Sequence, residues 1–239
     1  MKQLFSKVLV IPKLLSDILL GAIQNFPGPV GFRLRYRYWK TYLKYLGKGT
    51  KIDVGIYFQN PEFISIADNC WIDRGVIILA GIDKSERQKK VIKSNLVALQ
   101  GEVFIGRNVH IGPYSILSGI DSGIIIGDDC TLSSGAKLYA FSHHFRFHDD
   151  PENSLCSFGS MVDQTRQSMI CGPIVLEDNV GVALNTIILP GVHIGRDSFI
   201  KTNSVLYNQN FTENSLISGD PAQRRGLRFP TAENLERNG

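Results

Sequence analysis

From Leu99 the chain can be written in sixes, LQGEVF, IGRNVH, IGPYSI, with Leu or Ile recurring at 99, 105, 111 and 117. A second run starts at Ile120 (IDSGII, IGDDCT, LSSGAK, LYAFSH) and a third at Leu176 (LEDNVG, VALNTI, ILPGVH, IGRDSF, IKTNSV, LYNQNF). A fainter one starts at Ile66 (IADNCW, IDRGVI). A period of six fits neither the helical repeat nor a plain alternating strand. Four places after each aliphatic stands a small or short-branched residue: Cys70, Val76, Val109, Ser115, Cys130, Ala136, Val180, Thr186, Val192, Ser198 and Ser204. Between them fall Gly, Asp, Asn and Pro, the residues that let a chain turn. Each hexad therefore supplies a short strand and a corner, with the aliphatic inward and the small residue under the corner. Three hexads close a triangular coil, and coils stack at the β spacing of about 4.8 Å. The pattern predicts a mainly β chain folded as a parallel β-helix, a repeat architecture.

Cys70 and Cys130 sit in the small inward slot, which makes them core thiols rather than ligands. None of the four cysteines shows metal-type spacing. The 239 residues, 43% hydrophobic and 20% charged, suit a soluble globular chain with a sizeable core. A net charge of +4 is compatible with an anionic ligand or membrane surface and decides nothing by itself. The apolar start is interrupted by Lys7, Pro12, Lys13 and Asp17, which argues against a secretion signal or a membrane-spanning helix. A cytoplasmic protein with free thiols is expected.

The repeat divides the chain into an N-terminal helical segment (1–49), a β-helix (50–226) and a polar tail (227–239). Two stretches fall out of phase: 81–98, charged, and 144–173, a long loop of the kind that carries function in a regular scaffold. In the N-terminal segment Leu4, Val8, Ile11, Leu15, Ile18 and Ala22 follow helical spacing. After Pro27-Gly28-Pro29 comes a basic, aromatic stretch read as a second helix ended by Gly47. These helices can cap the open end of the β-helix. They can also lie on a membrane, with Arg33, Arg35, Arg37, Lys40 and Lys44 meeting lipid phosphates. The two roles are compatible.

Three of the five histidines, His143, His144 and His148, gather where the rhythm breaks. His143 is read as the last regular position before the loop, held by a rigid coil at a rim. An imidazole there can take a proton from an attacking hydroxyl. His110 and His193, at the sixth position of their hexads, fit solvated or structural residues.

These hexads resemble the hexapeptide-repeat acyltransferases over roughly residues 50–226. "VALNTIILPGVHIG" (182–195) is similar to the family stretch ending L-P-G-V-x-I-G, and "SGDPAQ" (218–223) to its closing G-N-P-A-K. The resemblance implies a left-handed parallel β-helix, an exception to the right-handed crossover rule, assembled as a homotrimer with acetyl-CoA as acyl donor and no metal. "IDSGIIIGDDCTLSSGAKLYAFSHH" (120–144) resembles the corresponding region of the maltose, galactoside and nodulation acetyltransferases. On that match Asp121 falls on the family's aspartate and His143 on its catalytic histidine, with His144 one register away. His143 would abstract the acceptor's proton, a backbone N–H would stabilise the oxyanion, and Asp121 or Glu152 would orient the imidazole. Along the coenzyme groove the sequence departs from the family. Gly181 stands at its Trp, Ala183 at its Gly, and Lys201-Thr202-Asn203-Ser204 at its G-A-G-S. Lys201, Arg224 and Arg225 are candidate partners of the coenzyme's phosphates.

"GFRLRYRYW…LG" leading into "GIYFQNPEFISIADNCWI" resembles acetyltransferases of bacterial surface-polysaccharide synthesis. This implies O-acetylation of a sugar, free, lipid-linked or nucleotide-linked, with no nucleic-acid partner. Three alternatives stay open: N-acetylation of a nucleotide-linked amino sugar, a zinc enzyme of the gamma carbonic anhydrase type using His143, His148 and His110 or His144, and a scaffold whose loop binds a partner.

Overall fold

The computed structural model describes residues 18–92 and 100–230. Short parallel strands follow one another around three faces of a prism. The first face stacks seven strands, from Tyr45–Leu46 through Ile64–Ile66, Val103–Ile105, Ile124–Ile126, Ile174–Leu176 and His193–Ile194 to Asn210–Phe211. The second runs from Lys51–Ile52 to Ser215–Gly219 and is closed by the antiparallel strand Ala222–Leu227. The third runs from Tyr57–Gln59 to Val205–Leu206. Residues one coil apart are paired in register, as with Ile111, Leu132 and Val182.

The hexad rule explains why this backbone forms. The aliphatics Ile66, Ile72, Ile78, Ile105, Ile111, Leu117, Ile126, Leu132 and Leu138, with their counterparts in later coils, are buried, and so are all eleven small residues four places on. Full burial of each aliphatic contributes about 1.5–3 kcal/mol, and it is repeated in every coil. The corner between the first and second faces demands a left-handed backbone, met by Gly49, Asn69, Asn108, Asp129, Asn179, Asp197 and Asn214. Asn and Asp tolerate that conformation, and here they also form a ladder. Asn69 Nδ2 donates to Asn108 Oδ1 (2.9 Å), Asn108 Nδ2 to Asp129 Oδ1 (2.8 Å), and Asn179 Nδ2 to Asp197 Oδ1 (2.7 Å).

Helix α1, Gly28–Trp39, covers the N-terminal end of the prism. Its buried face is Gly31, Arg35 and Trp39. Arg35 Nε donates to the Ile52 carbonyl (2.7 Å) and Nη1 to the Phe26 carbonyl (2.6 Å), while Trp39 packs edge-on against Phe58. The expected helix running to Gly47 stops at Trp39. Lys44 N donates to Pro61 O, and Tyr45–Leu46 pairs with Ser65–Ile66, so an open sheet edge captures the chain ahead of residue 50. Of the predicted apolar stripe, Leu4, Val8, Ile11 and Leu15 lie outside the described residues, whereas Ile18 and Ala22 are exposed rather than packed.

The two out-of-phase stretches are not independent loops. Strand β1 (Gln88–Val91), β2 (Phe141–His144) and β3 (Ser168–Cys171) form a three-stranded sheet of their own, with β3 in the middle, antiparallel to β2 and parallel to β1. Both excursions leave after a third-face strand, Ile77–Leu79 or Lys137–Tyr139, so they emerge at the same corner of the prism and can pair.

Candidate active site

His143 is not the last position of a coil, as the sequence suggests. Coil geometry ends at Tyr139, and His143 sits on β2 of the side sheet. It faces Met169 on β3, which faces Lys89 on β1; His144 faces Ser168 and then Gln88. Strand alternation puts Phe141, His143, Met169, Cys171 and Lys89 on one side of this sheet. On that side Phe141, Met169 and Cys171 pack with Ile120 of the β-helix. Two excursions far apart in sequence thus hold His143, and a small apolar cluster anchors them to the prism.

The half-buried His143 ring lies 5.3 Å from the Phe158 ring. Burial, then the positive charge of Arg87, lowers the imidazole pKa from its ordinary value. The ring is therefore neutral at physiological pH, the form that accepts a proton. Nδ1 is buried without a hydrogen-bond partner, so a proton acceptor at this residue works through Nε2. Neither carboxylate expected to orient the ring bonds to that atom. Asp121 is engaged elsewhere: Oδ2 pairs with Lys89 Nζ at 2.8 Å, and Oδ1 accepts the Asp83 N–H at 2.6 Å. Lys89 Nζ also lies 3.4 Å from Asp83 Oδ2 and 5.9 Å from the centre of the Phe141 ring. Glu152 lies exposed in the loop.

His144 is on the other side of the sheet. Its Nδ1 lies 2.7 Å from the Arg146 carbonyl, and its ring stacks on His148 with centroids 4.0 Å apart. Burial, then the charges of His144 and Lys90, lowers the His148 pKa. Among the described residues no three His, Cys, Asp or Glu side chains converge as a metal would require. His110 and His193 pair with carboxylates on the coil surface, Asp73 at 2.8 Å and Glu177 at 2.9 Å.

Ala183 and Lys201 follow second-face strands that pair Val182 with Ile200, so they stack at one corner. Lys201 N donates to the Ile217 carbonyl (2.9 Å), which sets Lys201 and Thr202 beside Ser218 and Gly219 of the next coil. Arg225 returns to the same corner: a Cβ added at Gly219 would meet its Nη2 at 3.0 Å. Arg224 instead lines an open cleft of ≈ 460 Å³ with Gln209, Asn210, Phe211, Thr212 and Gln223. The structure therefore gathers Ala183, Lys201, Thr202 and Arg225 and separates Arg224 from them. The exposed cations there fit phosphate groups. Gly181 makes room for a side chain of its own coil stack, since a Cβ there would meet the Phe199 ring at 2.7 Å. His143 and Lys201 stand at different corners of the prism, on either side of the third face.

Arg87, Lys89 and Phe158 are the residues around His143 that the hexads do not reveal. The charge of 81–98 was the visible signal; its pairing with 168–171 has no signature in the repeat.

The profile for the hexapeptide repeat of succinyl-transferase matches residues 102–140 and 173–208, skipping the segment that carries His143. WbbJ of Escherichia coli K12, a protein assigned to lipopolysaccharide-biosynthesis O-acetyl transfer, is 27% identical over 124 residues, 52% of this chain and 60% of WbbJ. An acetyltransferase-like protein of Schizosaccharomyces pombe, C18B11.09c, is 31% identical over 123 residues, 49% of this chain and 52% of its own length. The match to the bifunctional protein GlmU of Bartonella bacilliformis, 25% identical, covers 71% of this chain and 39% of GlmU. The chain thus spans about two-fifths to three-fifths of these relatives. Among solved structures, a point mutant of AntD, an N-acyltransferase from Bacillus cereus in complex with dTDP and coenzyme A, superposes with a TM-score of 0.65 at 23% identity. That alignment covers 84% of this chain and 93% of AntD. The Vibrio cholerae acetyltransferase VCA0836 with acetyl coenzyme A gives 0.52 at 20% identity, over 87% and 82%. These likenesses carry the fold, three parallel sheets typical of a left-handed β-helix with helices at the N-terminus.

Proposed function

We propose that this chain, which belongs to the hexapeptide-repeat acyltransferase family, moves an acetyl group from acetyl-CoA to a sugar hydroxyl of a bacterial surface polysaccharide or its precursor. The observation that carries the proposal is a neutral, half-buried His143 whose pKa is lowered, fixed on a sheet that two excursions build beside the prism. His143 Nε2 takes the proton of the attacking hydroxyl as the C–O bond forms. The thioester carbonyl becomes tetrahedral, and the coenzyme leaves as the thiol once a proton returns to sulfur. No covalent enzyme intermediate is needed. Asp121 acts through Lys89, holding the sheet that carries the histidine.

Ala183, Lys201, Thr202 and Arg225 form the donor's wall, with the two cations on its phosphates. Because His143 and Lys201 occupy different corners, a site that uses both is completed by a neighbouring copy, which supports a homotrimer. Such a trimer works where acetyl-CoA is available, in the cytoplasm. The likeness to WbbJ supports an O-acetyl product. N-acylation of a nucleotide-linked amino sugar is the second reading. It is favoured by the AntD fold match, since that protein is an N-acyltransferase seen with dTDP and coenzyme A.

The test is to incubate the protein with acetyl-CoA and a panel of polysaccharide precursors and identify the product by mass. An alkali-labile ester supports O-acetylation, and an alkali-stable amide supports the second reading. Absence of any acetylated product across sugars and amino sugars refutes both.

A further inference from the structure

Helix α1 buries Gly31, Arg35 and Trp39, and its opposite face is exposed. Val30, Arg33, Leu34 and Arg37 are exposed and follow the i, i+3, i+4, i+7 spacing of one helical stripe. Ile18, Leu19 and Phe26, just before the helix, are also exposed. Apolar residues are thus set among cations on an exposed surface at the end of the prism. A cleft of ≈ 380 Å³ between this face and the first coil is lined by Phe32, Arg33, Tyr36, Arg37 and Lys51.

The charge is one-sided. Residues 18–52 contain no Asp or Glu, and their cations are Arg33, Arg35, Arg37, Lys40, Lys44, Lys48 and Lys51. Of these, Arg35 is buried among carbonyls and beside Asp53, and Lys44 is paired with Glu102 at 2.6 Å. Among the described residues no carboxylate pairs with Arg33 or Arg37 on the exposed stripe.

We infer that the outer face of α1, with Ile18, Leu19 and Phe26, docks the protein on an anionic lipid surface. Apolar side chains entering the acyl boundary and cations at the level of the phosphates are the two contributions that hold an interfacial helix. A second copy of the same face is the poorer occupant, because two such surfaces would bring arginine against arginine with no carboxylate to separate them. The face is at the end of the prism, whereas His143 leaves its side three coils further on, so docking leaves the catalytic excursions open. The inference is independent of acyl transfer: it rests on the cap alone.

The test uses the full chain and sedimentation with vesicles. The protein should bind vesicles of phosphatidylcholine with about 30 mol% phosphatidylglycerol and not pure phosphatidylcholine, and binding should weaken with added salt. Each surface cation removed should weaken binding about fivefold, so R33Q/R37Q should lose about 25-fold while R33K/R37K keeps its affinity. V30S/L34S should also release the protein, with little change in melting temperature because Val30 and Leu34 are exposed. Failure of the full chain to bind anionic vesicles overturns the inference. So does undiminished binding by R33Q/R37Q, or a result in which these substitutions abolish a self-association instead.

Discussion

Lys89→Met tests how the histidine-bearing sheet is held. Methionine keeps an unbranched apolar stem and removes the ammonium with its charge and hydrogen bonds. Lys89 Nζ makes a 2.8 Å contact with Asp121 and a 3.4 Å contact with Asp83, and the three side chains keep only 23%, 11% and 16% of their surface exposed. Burial alone would lower the Lys89 pKa, yet the hydrogen bond to Asp121 and the two carboxylate charges raise it, so the ammonium is retained. Breaking a fully buried pair costs about 3–5 kcal/mol, and a single hydrogen bond to a charged group contributes about 1.5–3 kcal/mol. With partial exposure the expected loss is about 3 kcal/mol. In a stack whose coils touch only their neighbours, that loss falls on the side sheet rather than on the prism. Hydrogen exchange followed by mass spectrometry should show peptides over 141–144 and 168–171 opening about 100-fold more readily. Peptides of the later coils should be unchanged. Asp121→Asn in the same background should restore part of the protection by removing the stranded carboxylate. Unchanged exchange in β2 and β3, or a uniform rise across all coils, would refute the reasoning.

Three further outcomes follow from the site. The acid limb of kcat/KM should lie below 6.5, since burial and Arg87 lower the His143 pKa, and Arg87→Gln should move that limb upward. By the same sign, the stability that a neutral His143 contributes is present above 6.5 and lost as pH falls through the folded-state value. Alkylation at neutral pH should label Cys156 before the buried Cys70, Cys130 and Cys171, whose thiols burial pushes up, Cys130 to about 11; peptide mapping checks the order. K201A/R225A should raise the KM for acetyl-CoA by about tenfold or more with little change in kcat, whereas R224A should do less because Arg224 points into a different cleft.

The prism was legible because its rule is local. An inward aliphatic, a small residue four places on and a turn former between them suffice to place Ile111 over Leu132 and Cys130 under a corner. The side sheet was not. Its register joins Lys89 to Met169 and Met169 to His143, contacts across some eighty and some twenty-six residues with no periodic mark. The sequence therefore gathered the histidines but stood His143 on a coil, where the structure sets it on a strand. It also offered Asp121 as a partner for the imidazole, while the charged stretch 81–98 contained the lysine that takes that carboxylate. At the N-terminus helical propensity extended through Tyr45, and the unpaired edge of Ile64–Ile66 overrode it.

The most direct test is turnover of acetyl-CoA by His143→Ala with an acceptor that the unaltered protein acetylates. Among the described residues the ring Nδ1 has no hydrogen-bond partner, and the ring lies outside the prism core, so assembly and melting temperature should hardly change. Loss of a positioned general base should slow turnover by about 10²–10⁴-fold, with the affinity for acetyl-CoA kept. Near-normal turnover by His143→Ala, together with loss of turnover in His144→Ala, would move the base to the other side of the sheet. Near-normal turnover in both would contradict the mechanism.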